Sequence, residues 1–141
     1  MANICFDTGL VEHTLNDKVA VVFNPTDVTF IEKVFNTFDE LDKKQDAYNA
    51  EIDKQTDNAG VFRVARDMDT EMRGIIDAVF GVEVCSAVFG DLNVYALAGG
   101  LPIWCNLMLA IIDEMDSTFA KEKKATNPRL QKYLAKYKKS K

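Results

Sequence analysis

Histidine occurs once in this 141-residue chain, at His13, tryptophan once, at Trp104, and proline three times. Nothing in the pattern marks a serine or cysteine nucleophile that the single imidazole would serve, so a Ser-His or Cys-His centre is not indicated. His13 reads instead as a surface residue of a strand. The chain has no G-x-G-x-x-G and no Gly-Lys-Ser/Thr. Its one glycine pair, Gly99-Gly100, leads into Leu101-Pro102, which brings neither a lysine nor a proline amide to a phosphate. Three cysteines, Cys5, Cys85 and Cys105, are an odd number without C-x-x-C spacing. That suits buried free thiols in a reducing cytoplasm better than a disulfide framework. No apolar run approaches the roughly 18 residues of a membrane span; the longest, Leu107 to Ile112, is flanked by Asn106 and Asp113. The opening MANICFDTG has no basic stretch and carries Asp7 early, so it does not read as a signal peptide.

What is present is apolar and charged in ordinary proportion, 48% hydrophobic and 28% charged residues, as in a soluble globular domain. The net charge of −5 conceals a division. Residues 1–120 hold 8 Lys+Arg against 21 Asp+Glu, a net of −13; residues 121–141 hold 9 against Glu122 alone, a net of +8. Lys132, Lys136, Lys138 and Lys139 are the centre of this basic end. Three uses of it stay open. It can be a solvated helical end, it can lie on the body of a neighbouring copy, or it can meet nucleic acid. The acidic body opposes the last of these.

Periodicity gives the elements. Residues 3–24 read as β structure: Ile4-Cys5-Phe6, a turn at Asp7-Thr8-Gly9, then two short strands joined at Asn16-Asp17, a hairpin. Asn24-Pro25 stops the strand, and Thr26 or Asp27 can cap the helix that follows. Ile31, Val34 or Phe35, Phe38, Leu41, Gln45, Tyr48 and Ile52 keep a near-heptad spacing on that helix. Its first half is expected on the core and its polar second half to project, into solvent or against another helix, ending at Asp57-Asn58-Ala59-Gly60. A second helix over 62–80 carries Val64, Met68, Met72, Ile75, Ile76, Val79 and Phe80 and stops at Gly81. A short helix from Val82 to Phe89 stops at Gly90, and Asp91-Leu92-Asn93 is expected to cap another short segment through Ala98. Pro102 opens the widest apolar helix, with Trp104, Leu107, Met108, Ile111, Ile112, Met115 and Phe119. After Asn127-Pro128, the spacing of Leu130, Tyr133, Leu134 and Tyr137 predicts a basic helix over 129–138.

The expected fold is therefore α+β and mainly helical. An N-terminal β-hairpin precedes about four to five bundled helices and a basic C-terminal helix. Residues 1–120 form one globular unit, hairpin in 1–24 and helices in 26–120, and 121–141 a basic tail.

Carboxylates supply little chemistry. Asp113, Glu114 and Asp116 have no histidine to complete a metal shell, and Asp67, Asp69 and Glu71 lie on a helix rather than in a calcium loop. Neither a metal nor a cofactor is expected, and catalysis is not. Nine phenylalanines and five methionines exceed what a small helical core must hide. They are either core or the lining of a groove for a partner helix.

Three stretches together resemble a known family: the short β start, FNPTDVTFIEKVFNTFDELDKKQ, and IIDAVFGVEVCSAVFGDLNVYALAGGLPIWCNLMLAIIDEM with its basic end. The family is the tail assembly chaperones of siphophages and prophages in Gram-positive hosts, and the resemblance covers about residues 20–137. It implies a non-enzymatic protein of the bacterial host cytoplasm. Such a protein binds and solubilises the helical tape measure protein, helps recruit major tail protein, and self-associates. On this reading Phe35, Phe38, Trp104 and Met108 border the partner groove. Two other classes stay open: a virion structural component of the tail or head–tail junction, and a small regulator that binds nucleic acid through 121–141.

Overall fold

The computed structural model describes residues 1–124. Its architecture is α+β, an antiparallel hairpin followed by four helices. The hairpin pairs β1 (Val11–Leu15) with β2 (Val19–Phe23), Leu15 opposite Val19 and Val11 opposite Phe23. Asn16 and Asp17 take φ of 51° and 56°, and the Lys18 amide donates to the Leu15 carbonyl at 3.0 Å. Positive φ at both central residues is the requirement of the hairpin turn whose twist matches the strands, and Asn and Asp tolerate it best after Gly. Ile4-Cys5-Phe6, read above as β structure, form no strand, and neither does any other residue before Val11. Ile4 and Phe6 are 85% and 80% exposed, and Cys5 is exposed rather than a buried thiol.

Asn24 turns the chain, its side chain accepting from the Thr26 amide and hydroxyl, while Asp27 caps α1 (Val28–Lys54) through the Thr29 amide. α1 stops earlier than its composition indicates. Gln55 closes it, and Asp57 instead opens α2 (Asn58–Phe80) by accepting from Gly60. An Asp with a free amide three residues on serves a helix start better than a helix end. α1 and α2 thus form a tight helical hairpin. The second half of α1 does not project before Tyr48: Lys44 pairs with Glu71 of α2, and Tyr48 stacks on Tyr95 at 3.8 Å.

α2 ends at Gly81 with left-handed φ, and α3 (Val84–Phe89) follows. Glu83 makes no side-chain cap on α3; Asp77 of α2 accepts from the Cys85 amide at 2.9 Å instead. Residues 91–98 are not the expected helix. Asn93 accepts from the Tyr95 amide and donates to Ala65, making a turn. A two-residue ribbon, β3 (Leu97–Ala98) with β4 (Leu101–Pro102), is then closed by Gly99-Gly100, whose φ of 62° and 82° suit a tight hairpin. α4 (Ile103–Lys124) runs past the expected boundary at 120. Its first amides donate to Ala96 and Val94 carbonyls.

One core joins hairpin and helices: Val21 and Phe23, Val34 and Leu41, Met72 and Ile76, with Trp104, Met108, Ile111 and Met115 of α4. α4 supplies more fully covered large side chains than any other element, as its wide apolar face indicates. The expected helix over 129–138, with Lys132, Lys136, Lys138 and Lys139, lies outside the described residues.

Candidate functional site

The four residues expected to border a groove do not come together on one surface. Trp104 is 2% exposed and Met108 fully covered, so both belong to the core. Phe38 is half-buried with its ring 5.7 Å from the Trp104 indole, and Phe35 alone stands out, 47% exposed. A helical face of period 3.6 shows which residues turn inward but not how deep its neighbours lie.

The open apolar surface lies elsewhere, on another side of α4. A trough of about 560 Å³ separates the hairpin from α3 and α4. β1 and its turn supply His13, Thr14, Leu15 and Asn16, and β2 supplies Phe23. Val88, Phe89 and Leu92 close one end, and α4 forms the floor with Ile103, Asn106, Leu107, Ala110, Ile111 and Glu114. These α4 positions repeat at three and four residues, so they make one stripe, roughly 16 Å long at 1.5 Å per residue. Such a length matches about three turns of a docked helix.

The polar lining groups are His13, Thr14 and Asn16 on the hairpin and Asn106 and Glu114 on α4. His13 stacks on Phe23 with ring centroids 4.1 Å apart, and its Nε2 lies 3.7 Å from Glu114 Oε1. Its Nδ1 is buried without a hydrogen-bond partner among the described residues. His13 is thus part of a wall and not the plain surface residue expected from a strand. Phe23 stacks in turn on Phe30 at 4.5 Å, and Phe30 faces Phe80 at 6.4 Å, so a row of rings ties the hairpin to α1 and α2. This row holds the trough's hairpin wall in place. No serine, cysteine, lysine or arginine is among the lining residues.

Asp69, Glu71 and Asp77 are occupied structurally. Asp69 accepts from Arg73 Nε at 3.0 Å and from the Val94 amide at 2.7 Å. Arg73 also donates to the Gly90 and Leu92 carbonyls, fixing the loop that ends the trough. Glu71 holds Lys44, whose pKa it raises by accepting its hydrogen bond. Among the described residues no group of three or more His, Cys, Asp or Glu is placed to hold a metal ion. Burial, aided by the Asp77 carboxylate, pushes the Cys85 thiol far up, and burial raises Cys105 as well. Neither is a thiolate near neutral pH, so neither is an activated nucleophile. No described helix is long and apolar enough to cross a membrane.

The width of the α4 apolar face was the one signal of the trough available in sequence. It comprises two adjoining stripes: Trp104, Met108 and Met115 are buried, Trp104 against Phe38 and Gln45 of α1, while the stripe from Ile103 to Glu114 lines the trough. Comparison with family models, curated proteins and solved structures finds no match to this chain.

Proposed function

We propose that this chain is a non-enzymatic binding protein that shelters an amphipathic helix of a partner in the α4 trough. The role implied by the family resemblance fits that reading: a tail assembly chaperone of the bacterial host cytoplasm that keeps the tape measure protein soluble and helps recruit major tail protein. The carrying observation is the apolar trough in which half-buried Ile103 and exposed Ala110, bedded on buried Leu107 and Ile111, share one lining with Leu15, Phe23 and Phe89. A tape measure protein presents long amphipathic helices that aggregate when bare. Many copies, each burying one short helical stretch, would hold it by avidity and still be stripped off during assembly.

The test is co-expression with the long helical protein encoded downstream, followed by pull-down and sizing, beside the variant Ala110→Arg. Ala110 is exposed in the floor of the trough, so the change blocks the trough without entering the core. A soluble complex of many copies that Ala110→Arg abolishes is the expected result. Failure of the wild-type chain to solubilise the partner overturns the chaperone reading.

The second reading, a virion structural component, draws on the exposed Ile4 and Phe6 near the N-terminus. Permanent subunits need large apolar interfaces. Stable rings or tubes formed by the purified protein alone would favour it.

A further inference from the structure

The trough has a chemical counterpart in the same chain. Residues 125–141, which follow α4 in sequence, contain six Lys and Arg and no Asp or Glu. They place Leu130, Tyr133, Leu134 and Tyr137 at the spacing of a single helical stripe. We propose that this C-terminal segment docks in the trough of its own chain, laying those apolar side chains along the α4 stripe and its lysines toward the rim.

Charge favours the pairing. Glu114 lines the trough, no lysine or arginine does, and exposed Glu12, Asp17, Asp91 and Asp113 each adjoin a lining residue in sequence. Residues 1–120 carry a net of −13 against +8 for 121–141. A basic amphipathic segment is attracted over this rim, and its apolar side chains match the floor. Reach is sufficient. From Lys124 back to Glu114 is about 15 Å of helix, and the far end of the stripe is roughly 16 Å further. With residues 125–128 extended and 129–141 at the helical rise, the segment covers about 33 Å. Asn127-Pro128 supplies a place to reverse, because proline cannot continue the α4 hydrogen-bond ladder. Tethering decides which copy is bound: a short linker gives an effective concentration in the millimolar range, above that of separate molecules at micromolar concentration.

A docked segment makes the trough self-covered, so any partner helix has to displace it. The contact itself involves no partner and stands or falls apart from the chaperone reading. Its test uses the full chain alone, by backbone NMR of wild type, Leu134→Asp and Ala110→Arg with sedimentation of the same samples. The expected result is that Leu134→Asp moves the amide resonances of Leu92, Asn106 and Ala110. Ala110→Arg should move those of Leu130 to Tyr137, and raising salt from about 50 to about 500 mM should move both sets the same way. Both sets unmoved in both variants, with the fold intact, overturns the proposal. Shifts that grow with protein concentration together with the sedimenting mass also overturn it, because the trough is then filled by a second copy.

Discussion

Trp104 donates its indole N–H to Gln45 Oε1 at 2.8 Å, joining residues 59 positions apart. The bond explains a polar residue in the apolar seam of α1. Gln45 occupies a position where periodicity asks for a hydrophobe, and it is there because a covered indole nitrogen needs an acceptor. Gln45→Leu should therefore destabilise the protein by about 1–3 kcal/mol although it adds apolar surface, since the N–H is left unsatisfied. Urea unfolding measures this; an unchanged midpoint would show that the bond contributes nothing. Trp104→Ala should cost more, about 3–5 kcal/mol, as a core truncation.

The loop at the end of the trough hangs on Asp69 and Arg73. Asp69→Ala removes the acceptor of the Val94 amide and strands Arg73, side chains that are 17% and 18% exposed. A loss of about 2–3 kcal/mol is expected. Arg73→Lys should not rescue the loop, because an ammonium cannot reach Asp69 and two carbonyls in the fork geometry of a guanidinium. Hydrogen exchange at Val94 reports it directly. The amide should exchange faster in both variants, and unchanged protection would refute the assignment.

Thiol reactivity should divide the cysteines. A disulfide-exchange reagent at neutral pH should modify Cys5 at once and Cys85 and Cys105 only after unfolding. One fast equivalent from native protein and three from denatured protein are expected; fast modification of Cys85 would contradict its burial.

Alkaline pH should weaken the fold. Burial raises Cys85, Cys105, Tyr48 and Tyr95 above their ordinary values. Each stays protonated in the folded state while the unfolded chain begins to lose protons, near pH 8.5 for thiols and near pH 10 for phenols. The unfolded state then binds fewer protons, so stability falls as pH rises through this window. Below about pH 7 these four groups contribute almost no slope. Urea midpoints between pH 7 and 10.5 check this, and Cys85→Ala should flatten the early part of the decline.

The hairpin turn leaves room for improvement. Asp17 holds a left-handed φ of 56° that glycine adopts without strain. Asp17→Gly completes an Asn-Gly turn and should stabilise the protein by about 0.5–1 kcal/mol, read as a higher urea midpoint. A lower midpoint would mean that the Asp17 side chain supports the turn in another way.

Much of this protein is written locally. Asn16-Asp17 between two β-branched runs dictates a hairpin, Pro25 with Asp27 sets the start of α1, and Gly81 and Gly90 end their helices. These are short-range effects, because turn chemistry and capping act over two to four residues. The division into an acidic body and a basic end is likewise fixed by sequence. Tertiary structure decided the rest. Asp57 could end one helix or begin the next, and its bond from the Gly60 amide shows that it begins α2. Residues 91–98 carry cap residues for a helix, yet Asp69 and Arg73, distant in sequence, hold them as a turn and ribbon. Above all, the apolar face of α4 is wide enough for two neighbours. Periodicity assigns all of it to the interior, while packing covers Trp104, Leu107, Met108 and Ile111 and leaves Ile103 half-buried and Ala110 exposed beside the trough, because burial depends on what lies opposite a face and not on the face alone.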